Sequence, residues 1–118
     1  KWIPQYPGYY KVLSSLCCRS DSADQVTRSQ SSFVKNGTDH LATVFLEPGF
    51  ADTQDLNRHT LIIDYIVEVT QADIDSNAYY QFEAKIIANS GTVGLKGASV
   101  NSPGEAITFF NIYRISQI

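Results

Sequence analysis

From position 9 onward, apolar residues recur at every second position through several segments, the spacing of strands with one buried face. No window carries a 3.6-residue apolar stripe longer than two turns, so the pattern predicts an all-β chain. Residues 9–18 open the series, with Tyr10, Val12, Leu16 and Cys18 on one face and Lys11, Ser15 and Cys17 among those on the other. A polar loop over 19–23 leads to a weaker strand over 25–34. Asn36-Gly37 marks a tight hairpin turn whose two central residues take positive φ. The next strand, 40–47, is stopped by Pro48-Gly49, and 50–58 reads as a long polar loop.

The two strongest strands follow, 59–70 and 77–89. Leu61, Ile63, Tyr65, Val67 and Val69 form one apolar row, matched by Tyr80, Phe82, Ala84 and Ile86, and both rows are expected to face the core. Read as an antiparallel pair, the strands take the register that sets Asp64 against Lys85 and Ile62 against Ile87, because the neighbouring option opposes Asp64 to Glu83. That leaves 73–76 as a four-residue loop. The connection 90–104 is long for a compact domain, so part of it, 92–96, is expected to be a strand; otherwise it is a candidate binding loop.

The last stretch, 105–118, carries apolar residues on both faces. Ile107, Phe109, Tyr113 and Ile115 alternate against Ala106, Phe110, Ile112 and Ile118. One face can meet the chain's own core, and the other is expected to meet another subunit. Ile107, Phe109, Phe110, Ile112, Tyr113 and Ile115 are therefore the candidate interface.

Composition narrows the rest. A length of 118 residues fits one domain, and 43% apolar with 12% aromatic residues lies in the globular range. A net charge of −3 works against nucleic-acid binding, which needs a basic face. No apolar run approaches the ~20 residues that span a bilayer, so no membrane insertion is expected. The chain has no methionine, and its start lacks a signal-peptide pattern, so it is expected to be the C-terminal piece of a longer polypeptide.

Candidate chemistry is sparse. Asp73 to Asn77 has the oxygen spacing that opens an EF-hand loop, but Ala78 and Ala84 stand where that loop needs its glycine and bidentate glutamate. An Asp/Asn-rich turn bonding its own backbone is the expectation there. Gly91, Gly94 and Gly97 lack the following helix of a phosphate cradle. Asp64 and Glu68 share a face but stand roughly 13 Å apart along a strand, beyond the about 5–9.5 Å of glycosidase carboxylates. His40 and His59 have no ligand partner at close spacing. Cys17 and Cys18 are neighbours that cannot pair without backbone distortion and are read as reduced thiols. No catalytic residue, metal or cofactor is expected. The remaining functional candidates are saccharide contacts: the rings of Trp2, Tyr6 and Tyr79, expected to be exposed, and the polar group Asp52, Asp55, Asn57 and Arg58.

The opening Gly-Tyr-Tyr-Lys-Val strand, the long polar loop, the strands 59–70 and 77–89 and the closing Ile-Thr-Phe-Phe-Asn-Ile-Tyr-Arg-Ile strand together resemble the C-terminal β-sandwich domains of bacteriophage tail spikes and tail fibres. The resemblance covers nearly the whole chain and rests on pattern and position. It implies an antiparallel, jelly-roll-like β-sandwich that is homotrimeric, sits in the virion tail after assembly in the host cytoplasm, and recognises bacterial surface polysaccharide. Any depolymerase chemistry would lie upstream. Two other readings suit the same residues: a carbohydrate-binding module of a secreted bacterial enzyme, and a capsid or other particle protein.

Overall fold

The computed structural model describes residues 1–20, 26–46, 58–88, 93–95 and 109–117. Seven strands and one short helix run in the order β1 (Gly8–Ser20), β2 (Val26–Lys35), β3 (Asp39–Leu46), β4 (Arg58–Val69), α1 (Gln71–Asp75), β5 (Tyr80–Ala88), β6 (Val93–Leu95) and β7 (Phe109–Ser116). They form two antiparallel sheets. In the first, β1 is central: β4 lies on one edge, while β7 pairs with Tyr9–Ser15 and β6 with Cys18–Ser20. The second has the order β3-β2-β5. The sheets enclose a shared core of Tyr10, Val12, Phe33, Ile63, Val67, Val69, Ala78 and Tyr80, giving an all-β, sandwich-like architecture. The seven described strands do not trace the jelly-roll order of two four-stranded sheets.

The β4 row faces the core as the alternation demands, whereas on β5 Tyr80 is buried, Phe82 is half-buried and Ala84 is exposed. On β4, Leu61, Ile63, Val67 and Val69 are buried, and Ile62, Asp64, Ile66 and Glu68 between them are exposed. The pairing of the rows differs from the expectation. β4 pairs with β1, Leu13 standing opposite Asp64, and β5 pairs with β2, Phe33 opposite Phe82. The 59–70 and 77–89 strands thus lie in opposite sheets instead of side by side, with β4 over β3 and β2, and β5 at the far edge of the second sheet. Asp64 is bridged by Lys11, not Lys85. Two rows that both seek the core can do so from one sheet or from two, so facial pattern alone leaves partner strand and opposite sheet undistinguished.

The reversal between them is helical, where a loop over 73–76 was expected. Thr70 caps α1: its hydroxyl accepts from the Asp73 N–H at 3.2 Å, and the Asp73 carboxylate accepts from the Thr70 N–H at 2.9 Å. This is a capping box with aspartate in the third position. At the other end Asn77 takes a left-handed φ of 54°, and the Asn77 and Ala78 N–H groups donate to Ile74 and Asp73 carbonyls at 3.0 and 2.9 Å. These are the two bonds of a Schellman cap.

The Asn36-Gly37 turn forms as expected, with φ of 53° and 76°. A side chain on Gly37 would also meet the Tyr79 hydroxyl, 2.9 Å from its Cβ position. The strand expected within 92–96 is β6. Cys17 is buried.

Candidate functional site

Asp73 anchors one end of the sandwich. Its carboxylate, already engaged with Thr70, also accepts from the Lys35 ammonium at 2.5 Å, joining α1 to the end of β2. Burial alone would raise its pKa; the Lys35 bond and the Thr70 bonds outweigh that and hold it below the ordinary carboxylate value. Beside it, Tyr80 is fully buried with its hydroxyl unpartnered, and burial, with Asp73 and Asp39 nearby, pushes its pKa up to about 12. The backbone of Tyr80 exchanges two hydrogen bonds with Trp2, both 2.8 Å, so the first residues of the chain hook onto the outer edge of β5.

From this hook a run of aromatic rings reaches the surface. Trp2 meets Tyr10 edge-on at 4.8 Å and Tyr80 at 5.2 Å between centroids. Tyr80 stacks on Phe33 at 5.6 Å, Phe33 meets Phe82 at 5.1 Å, and Phe82 stacks on Phe110 at 4.5 Å. Each such pair contributes about 0.5–1.5 kcal/mol beyond the burial of its area. The last step crosses from β5 to β7, the two strands that border one open side of the sandwich. Between them lies a groove of about 430 Å³ lined by Lys1, Trp2, Tyr80, Gln81, Phe82, Phe110 and Ile112.

Among the strands whose burial is described, β7 is the least covered. Register places Phe110 and Ile112 on the inner face, opposite Ser14 and Val12, and Phe109 and Tyr113 on the outer face, opposite Ser15 and Lys11. Ile115 falls at a bulge between the Tyr9–Ser116 and Tyr10–Arg114 pairs. Only Ile112 is half-buried; Phe109, Phe110, Tyr113 and Ile115 are 40%, 48%, 48% and 46% exposed. The end of β7 is held by Gly8, where φ is 154° and a Cβ would fall 2.6 Å from the Ser116 carbonyl oxygen, and by Arg114, which donates to the Pro7 carbonyl. On the same outer face, Ile62 and Ile66 of β4 are 59% and 51% exposed and flank the Lys11–Asp64 ion pair.

The residues expected to contact saccharide do not gather in one place among the described residues. Trp2 and Tyr79 were expected to be exposed and are half-buried: Trp2 because it packs on Tyr10 and Tyr80, Tyr79 with the Lys1 ammonium 4.3 Å above its ring. Tyr6 is 65% exposed beside Arg114, whose guanidinium lies 5.8 Å from the ring centre. Arg58 opens β4 opposite Arg19. Asp52, Asp55, Asn57 and Ile107 lie outside the described residues. Sequence reading missed the groove, since Phe82 counts as core by alternation, and it missed Ile62 and Ile66. The apolar run Leu61-Ile62-Ile63 was the available signal for an apolar outer face.

The sequence matches no protein-family model, and no curated protein or solved structure shows significant similarity to it.

Proposed function

We propose that this chain is an assembly module whose copies associate as a homotrimer through β7 and the adjoining outer face of the first sheet, as the terminal domain of a viral attachment protein in the virion tail. The observation that carries the proposal is the exposure of Phe109, Tyr113 and Ile115 on a strand otherwise built like a core strand. The exposed fractions of Ile62, Ile66, Phe109 and Tyr113 together equal about two whole large side chains, or roughly 400 Å² at typical aromatic areas. Patches of that size on soluble proteins are often functional. Burial between copies at about 25 cal/mol per Å² stabilises the association, and the Lys11–Asp64 pair leaves no uncompensated charge at the centre of the contact. Recognition of a bacterial surface polysaccharide is the second part of the proposal. The ring that supports it is that of Tyr6, open to solvent beside a guanidinium.

Light scattering on the eluting protein at about 10 μM is expected to give about three times the 13.1 kDa chain mass. Tyr113→Lys is expected to shift the species to one chain mass with its circular dichroism unchanged. A wild-type species of single-chain mass at that concentration overturns the proposal.

A further inference from the structure

The groove beside β5 already receives a strand at one end. Trp2 pairs with Tyr80 as an isolated antiparallel bridge, its N–H donating to the Tyr80 carbonyl and its carbonyl accepting from the Tyr80 N–H. Backbone groups alternate along a strand, so the N–H and C=O of Phe82 and Ala84 turn toward the same edge as those of Tyr80. Among the described residues no strand pairs with that edge beyond Trp2. An antiparallel chain running backward from Trp2 advances along β5: Lys1 stands by Gln81, the residue joined ahead of Lys1 falls opposite Phe82, and the third one ahead falls opposite Ala84. Both of those positions share the inner face of Phe82, toward Phe110 and Ile112 across the groove. The position between them, like Lys1, shares the outer face of Gln81 and Glu83.

We propose that the groove between β5 and β7 is a strand-acceptor site for main chain joined in line to Lys1, which adds to β5 as a further antiparallel strand and lays alternate apolar side chains against Phe82, Phe110 and Ile112. The mode is β-augmentation: main-chain hydrogen bonds hold the strand, and the groove selects side chains at every second position. Continuity with the Trp2–Tyr80 bridge fixes its direction and register. The lining fits this occupant, with four aromatic residues and an isoleucine along the walls and, as polar residues, Lys1 and Gln81. The site is separate from the proposed trimer contact, since it covers the inner side chain Phe110 and leaves Phe109 and Tyr113 open.

The test is the full chain carrying Val-Thr-Val ahead of Lys1, compared with the same chain carrying Thr-Val-Thr, which presents the opposite face. Both are measured as Tyr113→Lys variants, so that association between copies does not enter. The Val-Thr-Val chain is expected to unfold at higher temperature than the unextended one, and its Phe82 and Ala84 amides to exchange with solvent about ten-fold more slowly. The Thr-Val-Thr chain is expected to show neither change. Equal stabilisation by both extensions would mark the groove as a general apolar contact, of the kind a second copy fills, and would overturn the strand assignment. Unchanged exchange at Phe82 with Val-Thr-Val would overturn it as well.

Discussion

β4 and β7 flank the same central strand and carry similar densities of large apolar residues, yet β4 buries Leu61, Ile63, Val67 and Val69 while β7 buries none of its side chains completely. The difference lies in what stands opposite. β4 closes the core together with Phe33 of β2 and Ala42 and Val44 of β3. β7 faces the open side of the sandwich, where the second sheet ends at β5. β6 and β7 share one edge of β1, and among the described residues what reaches β7 from the second sheet is the rim of β5, where Phe82 stacks on Phe110. Apolar content therefore determines that a strand seeks cover, and its place over the middle or the rim of the opposite sheet determines how much the described strands supply.

The sharpest way to break this comparison is to truncate one residue on each strand. Ile63→Ala is expected to cost about 2–5 kcal/mol in urea unfolding, whereas Phe109→Ala, measured at concentrations where the protein is monomeric, is expected to cost less than about 1 kcal/mol. Equal costs would mean that β7 is as well covered as β4. Next in size is Asp73→Asn at the anchored end, with an expected loss of about 1–3 kcal/mol, since it leaves the partly buried Lys35 without its counter-charge and weakens the charge-assisted bonds to Thr70. The same group sets an acid limit. Because its folded pKa is depressed, its contribution is fully present above the ordinary value of 3.8 and is lost as pH falls through the lowered folded value. Tyr80 sets the alkaline limit: raised from 10.0 to about 12, it remains neutral in the fold while the unfolded chain ionises, so stability is expected to decline across that interval. Thermal melts across both ranges check the two signs, and Asp73→Asn is expected to remove its share of the acid slope.

The smallest effect concerns the interior between the two strands. Ser14, Ser29 and Ser31 are fully buried with hydroxyls that have no partner, and Ser14 separates Val12 from Leu16, which packs with Leu61 apart from the main core. Ser31→Ala is expected to raise stability by about 1 kcal/mol by removing a desolvated hydroxyl. A loss in urea midpoint would show instead that the hydroxyl is satisfied in solution.

Much of the fold was legible because alternation reports burial directly. The rows on β1 and β4, the start of the β5 row at Tyr80, the Asn36-Gly37 turn and the strand within 92–96 were all read from spacing and turn chemistry. Pairing was not, because the register that set Asp64 against Lys85 presupposes a hairpin, and nothing in Leu61–Val69 or Tyr80–Ile86 separates a partner in the same sheet from a strand of the opposite one. The helix between them did leave a signal: Thr70 and Asp73 stand at capping-box spacing, and Asn77 supplies the left-handed residue that ends it. Reading 73–77 as an Asp/Asn-rich turn, with Thr70 left as the last residue of the preceding strand, hid that. The groove had no sequence signature, since it arises where two strands distant in the chain, β5 and β7, end up bordering the same gap.

Trp2 gives the protein an intrinsic spectroscopic gauge. As the single indole in the chain, wedged between Tyr10 of one layer and Tyr80 of the other, it emits from the seam where the two layers are stitched together. A red shift in its fluorescence is expected when the two layers part and the ring meets water.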